Sequence, residues 1–253
     1  MRLRLGRIPY LNTEPFFGDD DVRAGARTAV PRAMVDLALA GQLDLGPLPA
    51  VAAFDHPGLL APVGGLGIVA PHAATSVILR SRVRPEALHR ARIGIIDDTA
   101  TSVRLLKILL ALRLELRGVR YGPIGPGCDA LLIIGDRALR ADGVPPEFAY
   151  TYDLGAEWRG WTGLPFCFAL WMARTGTDPA ELDVALRYLG ENLDRNLADP
   201  AIIHRRRPDL GMSAAAIADY VRAFQYRLDD RAWQGLERFR ELDARRSAQE
   251  DAA

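Results

Sequence analysis

Lysine is nearly missing from this chain: among 32 basic residues, Lys107 is the single lysine and the rest are arginine. Schiff-base chemistry is therefore confined to one position. There, Lys107 shares a stripe with Arg104 and Glu115 on an otherwise apolar helix, which reads as a solvated face. Two cysteines, Cys128 and Cys167, are too few for a disulfide framework or a cysteine-rich metal site. The four histidines (His56, His72, His89 and His204) are scattered over loop-like positions. The sequence has no Cys-x-x-Cys, no His-Glu-x-x-His, no Gly-x-Ser-x-Gly and no P-loop. Gly64-Gly65-Leu66-Gly67 leads into a β-rich stretch rather than a helix, so it fails as a dinucleotide fingerprint. No metal and no cofactor is expected.

Excess charge of one sign is also missing. The 32 acidic residues balance the basic ones, which removes the electrostatic reason to expect nucleic acid or an anionic membrane as partner. No apolar run reaches the roughly 20 residues that span a bilayer. The best stretch, 105–116, is broken by Lys107 and Arg113. The first nine residues lack the apolar core of a secretory signal, so a cytoplasmic location is expected. The small, polar segment after Leu242 reads as a frayed end.

What is present is an alternation of strand-like and helix-like segments. Leu3, Leu5 and Ile8 give a first strand; Met34, Leu37 and Ala38 lie in a helix entered through Pro31. Residues 43–45, 66–70, 76–79, 92–96 and 129–134 read as further strands, and 102–116 as a helix. The cadence predicts an α/β fold with parallel sheets covered by helices. Later, Leu182, Ala185, Leu186, Leu189 and Leu193, then Ile217, Tyr220, Val221 and Phe224, mark amphipathic helices, and Trp233, Leu236 and Phe239 follow. No linker separates domains. The expected organisation is a discontinuous first lobe (1–84 plus 175–253), a second lobe (85–174), two crossing strands and a cleft between the lobes.

Polar clusters at strand ends are the candidate site, because open α/β folds bind ligands there. Asn12-Thr13-Glu14-Pro15 follows the first strand. It reads equally as a helix start, capped by Asn12 or Thr13 with Glu14 at the positive dipole end, and as a ligand contact through Asn12. Asp97-Asp98-Thr99-Ala100-Thr101-Ser102 precedes the 102–116 helix. Thr99 or Thr101 caps that helix, and the same hydroxyls and N–H groups make an anion cradle. Ser76 lies on a crossing strand; Asp136 and Asp153 cap the segments after them.

At these residues the sequence resembles the chorismate dehydratases of the futalosine route to menaquinone. The blocks are Ile8-Pro9-Tyr10-Leu11-Asn12-Thr13-Glu14-Pro15, Asp44-Leu45-Gly46-Pro47-Leu48-Pro49 and Thr101-Ser102-Val103-Arg104-Leu105. Two more are Asp129-Ala130-Leu131-Leu132-Ile133-Ile134-Gly135-Asp136 and Tyr152-Asp153-Leu154-Gly155-Ala156-Glu157-Trp158, the latter continuing through Trp161-Thr162-Gly163-Leu164-Pro165-Phe166. They run in order from residue 8 to about 174, whereas the later helices match only in character. The resemblance implies the type II periplasmic-binding-protein fold and dehydration of chorismate, a dianion, to 3-[(1-carboxyvinyl)oxy]benzoate without a cofactor. It implies Asn12 and Ser76 as catalytic contacts and Thr101 and Ser102 as carboxylate binders, with the substrate's own side-chain carboxylate suggested as proton acceptor; Thr99 and Asp153 are further candidate substrate binders. Two rivals stand beside it. The 1,4-dihydroxy-6-naphthoate synthase of the same pathway employs a cleft histidine, and no histidine here falls in a matching block. A cytosolic protein that binds a small anion without turning it over is the other.

Overall fold

The computed structural model describes residues 3–18, 20–96, 99–140 and 144–251, with side chains through 249. They form two compact units that interrupt one another along the chain. Unit 1 comprises Met1–Val69 and Cys167–Asp229, and unit 2 comprises Ala70–Phe166 and Asp230–Ala253.

Unit 1 begins with β1 (Gly6–Arg7), a 3-10 turn (Leu11–Phe16), α1 (Asp20–Gly25), β2 (Arg27–Thr28) and α2 (Pro31–Leu39). It continues through β3 (Leu45–Pro49), α3 (Ala52–Asp55) and the long β4 (Leu60–Ala70). In unit 2 come β5 (Val77–Ser81), β6 (Arg92–Ile95), α4 (Thr101–Ile108) with a π-helical turn (Leu109–Arg113), and β7 (Arg120–Pro123). After these follow β8 (Ala130–Ile134), α5 (Gly135–Arg140), β9 (Tyr150–Asp153) and α6 (Leu154–Thr162). The chain returns to unit 1 along β10 (Phe166–Arg174), α7 (Pro179–Ala198), α8 (Ala201–Arg206), α9 (Ala214–Arg222) and β11 (Gln225–Arg227), then ends in unit 2 with α10 (Asp230–Asp251).

The unit 1 sheet has the order β11-β4-β10-β3, with β3 antiparallel to β10 and β11 antiparallel to β4. This corrects the expectation of parallel sheets. All of β3 is buried, and so is β10 up to its last residue. Buried on both faces, these strands show continuous apolar runs, which cannot report strand direction. Against them pack Phe16 and Phe17 from the 3-10 turn. The Phe16 ring meets Trp171 and Tyr226 edge-on at 5.2 and 5.5 Å. The start of α7 follows from Asp178-Pro179: the aspartate accepts hydrogen bonds from the Ala180 and Glu181 N–H groups, and Pro179 fits the first turn.

The unit 2 sheet has the order β7-β6-β8-β5-β9. Here β6 is parallel to β7 and β8, as the strand–helix–strand cadence predicts, whereas β5 is antiparallel to both β8 and β9. The helix expected over 102–116 starts at Thr101 but widens into the π turn after Ile108. Gly163, with φ of 70°, closes α6 in the left-handed conformation that glycine adopts at low cost. Trp158 on α6 lies against Phe166 and Phe239 at 5.2 and 6.2 Å, so α10 completes this core. The expected frayed end is a correction: α10 stays helical to Asp251 because Asp243 and Arg246 are buried and paired, and Asp243 also binds Arg104 of α4 at 2.8 Å. The stripe of Arg104 and Lys107 is therefore not a solvated face, for Lys107 lies 5.0 Å over the Tyr121 ring.

Candidate functional site

Strand register gathers the polar segments of unit 2 at one end of its sheet. Ile95 pairs with Leu132, Val77 with Ile134 and Ile78 with Asp153. The carboxyl ends of β6, β8 and β9 thus lie beside the amino end of β5, the place where open α/β sheets hold ligands. Ser76, Asp136 and Asp153 lie at that end of the sheet, and Thr99, Thr101 and Ser102 stand in the segment that follows the carboxyl end of β6 into α4. Asp97 and Asp98 lie outside the described residues.

Four of these side chains are hydroxyls, and all four are buried. Thr99 is only 5% exposed, yet among the described residues its Oγ1 has no hydrogen-bond partner. A buried hydroxyl without a partner costs about 1–3 kcal/mol, so a polar ligand would relieve a penalty already present. The expectation that Thr99 or Thr101 is the N-cap of α4 is corrected: the N-cap is Ala100, with φ of −125°, and Thr101 is the first helical residue. The positive end of the α4 dipole lies at these hydroxyls.

Ser76 is held by its neighbours. Its Oγ donates to the Ala74 carbonyl at 3.3 Å, and its own carbonyl accepts the Gly135 N–H at 2.8 Å. The residue before it, Thr75, has φ of +55°, a left-handed conformation unusual for a β-branched side chain. Asp153 enforces it. Its Oδ1 accepts the N–H groups of Ala74 and Ala156 at 2.9 and 3.0 Å, while Oδ2 accepts that of Thr75 at 2.5 Å. Asp153 caps α6 as expected, and it also clamps the segment that bears Ser76. Gly155 allows the approach: a Cβ there would sit 2.9 Å from the Ala74 nitrogen.

Asn12 belongs to unit 1, half-buried on the 3-10 turn. It does not cap a helix: the N-cap is Tyr10, and the Thr13 hydroxyl turns back onto the Ile8 and Tyr10 carbonyls at 2.6 and 2.8 Å. Glu14, read from sequence as a dipole partner, is instead the buried centre of an arginine cluster. Arg7 reaches it at 2.5 Å, Arg23 at 3.1 Å and Arg207 at 3.6 Å. Asn196 donates to the carbonyls of Pro15 and Phe17, fixing the turn from α7. Sequence reasoning missed this cluster because Arg7, Arg23 and Arg207 are remote in sequence; only the apolar neighbours of Glu14 hinted at its burial.

Among the described residues no group of His, Cys, Asp and Glu side chains could hold a metal ion. Nor, among them, is any helix long and apolar enough to cross a membrane.

Comparison with known proteins places this arrangement in context. A family model described as menaquinone biosynthesis matches residues 3–245. The chorismate dehydratase of Thermus thermophilus is 32% identical over an alignment of 174 residues that covers 60% of this chain and 63% of that protein. A protein from Archaeoglobus fulgidus of solved structure superposes with a TM-score of 0.73 at 15% identity, covering 97% of this chain and 98% of that one. The periplasmic aliphatic sulphonate binding protein of Escherichia coli superposes with a TM-score of 0.61 at 14% identity, covering 97% and 87%. The fold is that of the periplasmic binding proteins.

Proposed function

The chain belongs to the menaquinone biosynthesis family, and from that membership we propose that it is a chorismate dehydratase, a hydro-lyase converting chorismate to 3-[(1-carboxyvinyl)oxy]benzoate and water. The observation that supports the reading is the buried Thr99 hydroxyl, without a hydrogen-bond partner among the described residues, beside the buried hydroxyls of Thr101 and Ser102 at the start of α4.

Chorismate carries two carboxylates on a small frame. In the dehydration, the C–O bond to the ring hydroxyl breaks and the carbon bearing the enol ether loses its proton. That C–H electron pair completes the aromatic ring, and the hydroxyl leaves with a proton as water. Aromaticity supplies the driving force, so the protein contributes chiefly position and aimed dipoles. Thr99, Thr101, Ser102 and the first N–H groups of α4 hold the ring carboxylate. Ser76 and Asn12 contact the departing hydroxyl and the enolpyruvyl group, whose carboxylate takes the ring proton and passes it to the departing hydroxyl. Asp153, with three backbone N–H groups on its carboxylate, is assigned as a positioning residue for Ser76. The reaction as read takes place in the cytoplasm, and its only partner is the substrate.

The test is incubation of the purified protein with chorismate, followed by mass spectrometry. A product lighter by one water is expected, and Ser76→Ala and Asn12→Ala should each lower turnover by about 10²–10³-fold. Binding without conversion would favour a sensor of small anions, to which the fold is equally suited. Near-normal kinetics in both variants would remove these two residues from the mechanism.

A further inference from the structure

A cavity of about 700 Å³ opens in unit 2 beyond the carboxyl-terminal end of α4. It is walled by the π turn, by residues 115–119 ahead of β7, by Tyr121 and by α10. Its lining shares no residue with the sheet-end site, and Lys107, the lining residue nearest to Thr101 on the helix, lies about 9 Å along it at the helical rise. Its charge is one-sided. Among the described residues Lys107, Arg117, Arg245 and Arg246 line it, against a single carboxylate, Glu115. Asp243 pairs with Arg246 at 3.1 Å, which still leaves an excess of two positive charges. Apart from Gln249 and Tyr121 the rest of the lining is apolar, chiefly Leu110, Leu112, Leu116 and Val119. Lys107 already rests on the Tyr121 face, a platform on which a flat ring could also stack.

The backbone here is unusual as well. The π turn interrupts the normal helical ladder, a departure often found at functional sites. Glu115, with φ of +53°, is the left-handed residue that ends the helix, and the next N–H, of Leu116, donates to the Leu110 carbonyl at 2.9 Å. The π turn and this stop turn the chain away from α4 beside the cations.

We propose that this cavity is a second ligand site, for a small organic anion: an apolar ring or short chain ending in a doubly charged oxyanion such as a phosphate monoester. The excess of two positive charges matches such a headgroup, and the leucines and Tyr121 match its body.

Calorimetric titration of the whole protein with 1-naphthyl phosphate, inorganic phosphate and 1-naphthol tests this. The aryl phosphate should bind at least about tenfold tighter than either half of itself. A Lys107→Gln/Arg245→Gln double variant should lose about tenfold or more in affinity, whereas Thr101→Val should leave it unchanged. The wild-type protein offers a second readout, since Lys107 is its single lysine. Acylation of Lys107 by an N-hydroxysuccinimide ester, followed on its peptide by mass spectrometry, should slow when 1-naphthyl phosphate is present. Acylation at an unchanged rate, or binding lost in Thr101→Val and kept in the double variant, would overturn the proposal. Neither readout involves chorismate, so the proposal can fail independently of the dehydratase reading.

Discussion

Asp44, at the start of β3, carries much of the local electrostatics of unit 1. Its carboxylate accepts hydrogen bonds from the backbone N–H and Nε of Arg4, both at 2.9 Å, and from Nη2 of the same residue, with Arg174 3.7 Å away. The Arg4 side chain, above all, holds the Asp44 carboxyl below the usual carboxylate range. A carboxyl so depressed stabilises the fold fully above its unfolded value of about 3.9, and that contribution disappears as pH falls through the lower folded value. Asp44→Asn should therefore lower the melting temperature at pH 7, while the gap to wild type closes below about pH 4. Melting curves recorded from acid to neutral pH check this, and a gap independent of pH would show that the charge is not what matters. At this scale the sequence was informative where a residue's role is local. Asp153 as a helix cap follows from its position before α6. The roles of Asp44 and Glu14 do not, because the guanidinium groups that define them come from distant segments.

At the scale of elements, the contact between α6 and the turn before β5 governs the candidate site. Gly155 has ordinary backbone angles, so its value lies in the space it leaves: a methyl group there would meet Ala74 nitrogen at 2.9 Å and Asp153 Oδ1 at 3.2 Å. Gly155→Ala should cost about 1–3 kcal/mol through overpacking and, by shifting residues 74–76, reduce chorismate turnover. Thermal melts and kinetics together check it; full activity with unchanged stability would mean that the approach is not needed. Element identity was largely legible, since buried strands such as β8 and amphipathic helices such as α7 announce themselves by spacing. Strand direction was not, because β5 runs antiparallel within a sheet whose other members follow the parallel cadence. The switch of α4 to a π turn was also hidden, because the run Leu109-Leu110-Ala111-Leu112 suits either helical form.

At the scale of the molecule, the informative point is which unit each segment completes. An amphipathic pattern shows that a helix has a partner without saying which, and residues 175–253 were grouped on pattern alone. The contacts assign α7 through β11 to unit 1 and α10 to unit 2. Phe239 of α10 is fully buried, 4.9 Å from Phe166 and 6.2 Å from Trp158. Phe239→Ala should destabilise unit 2 by about 3–5 kcal/mol. Native-state hydrogen exchange would show this as faster exchange in β5 and β8 with β3 and β4 unaffected; equal acceleration in all four strands would argue against separate units.

That late contribution of α10 bears on how the protein is made. A ribosome releases residues 70–166 well before residues 230–251, with more than sixty intervening residues given over to unit 1. Throughout that interval of synthesis, the Trp158 and Phe166 surface of the nascent chain has no Phe239 to cover it. This aromatic face is where a chaperone would engage the emerging polypeptide and where premature release would leave it open to self-association.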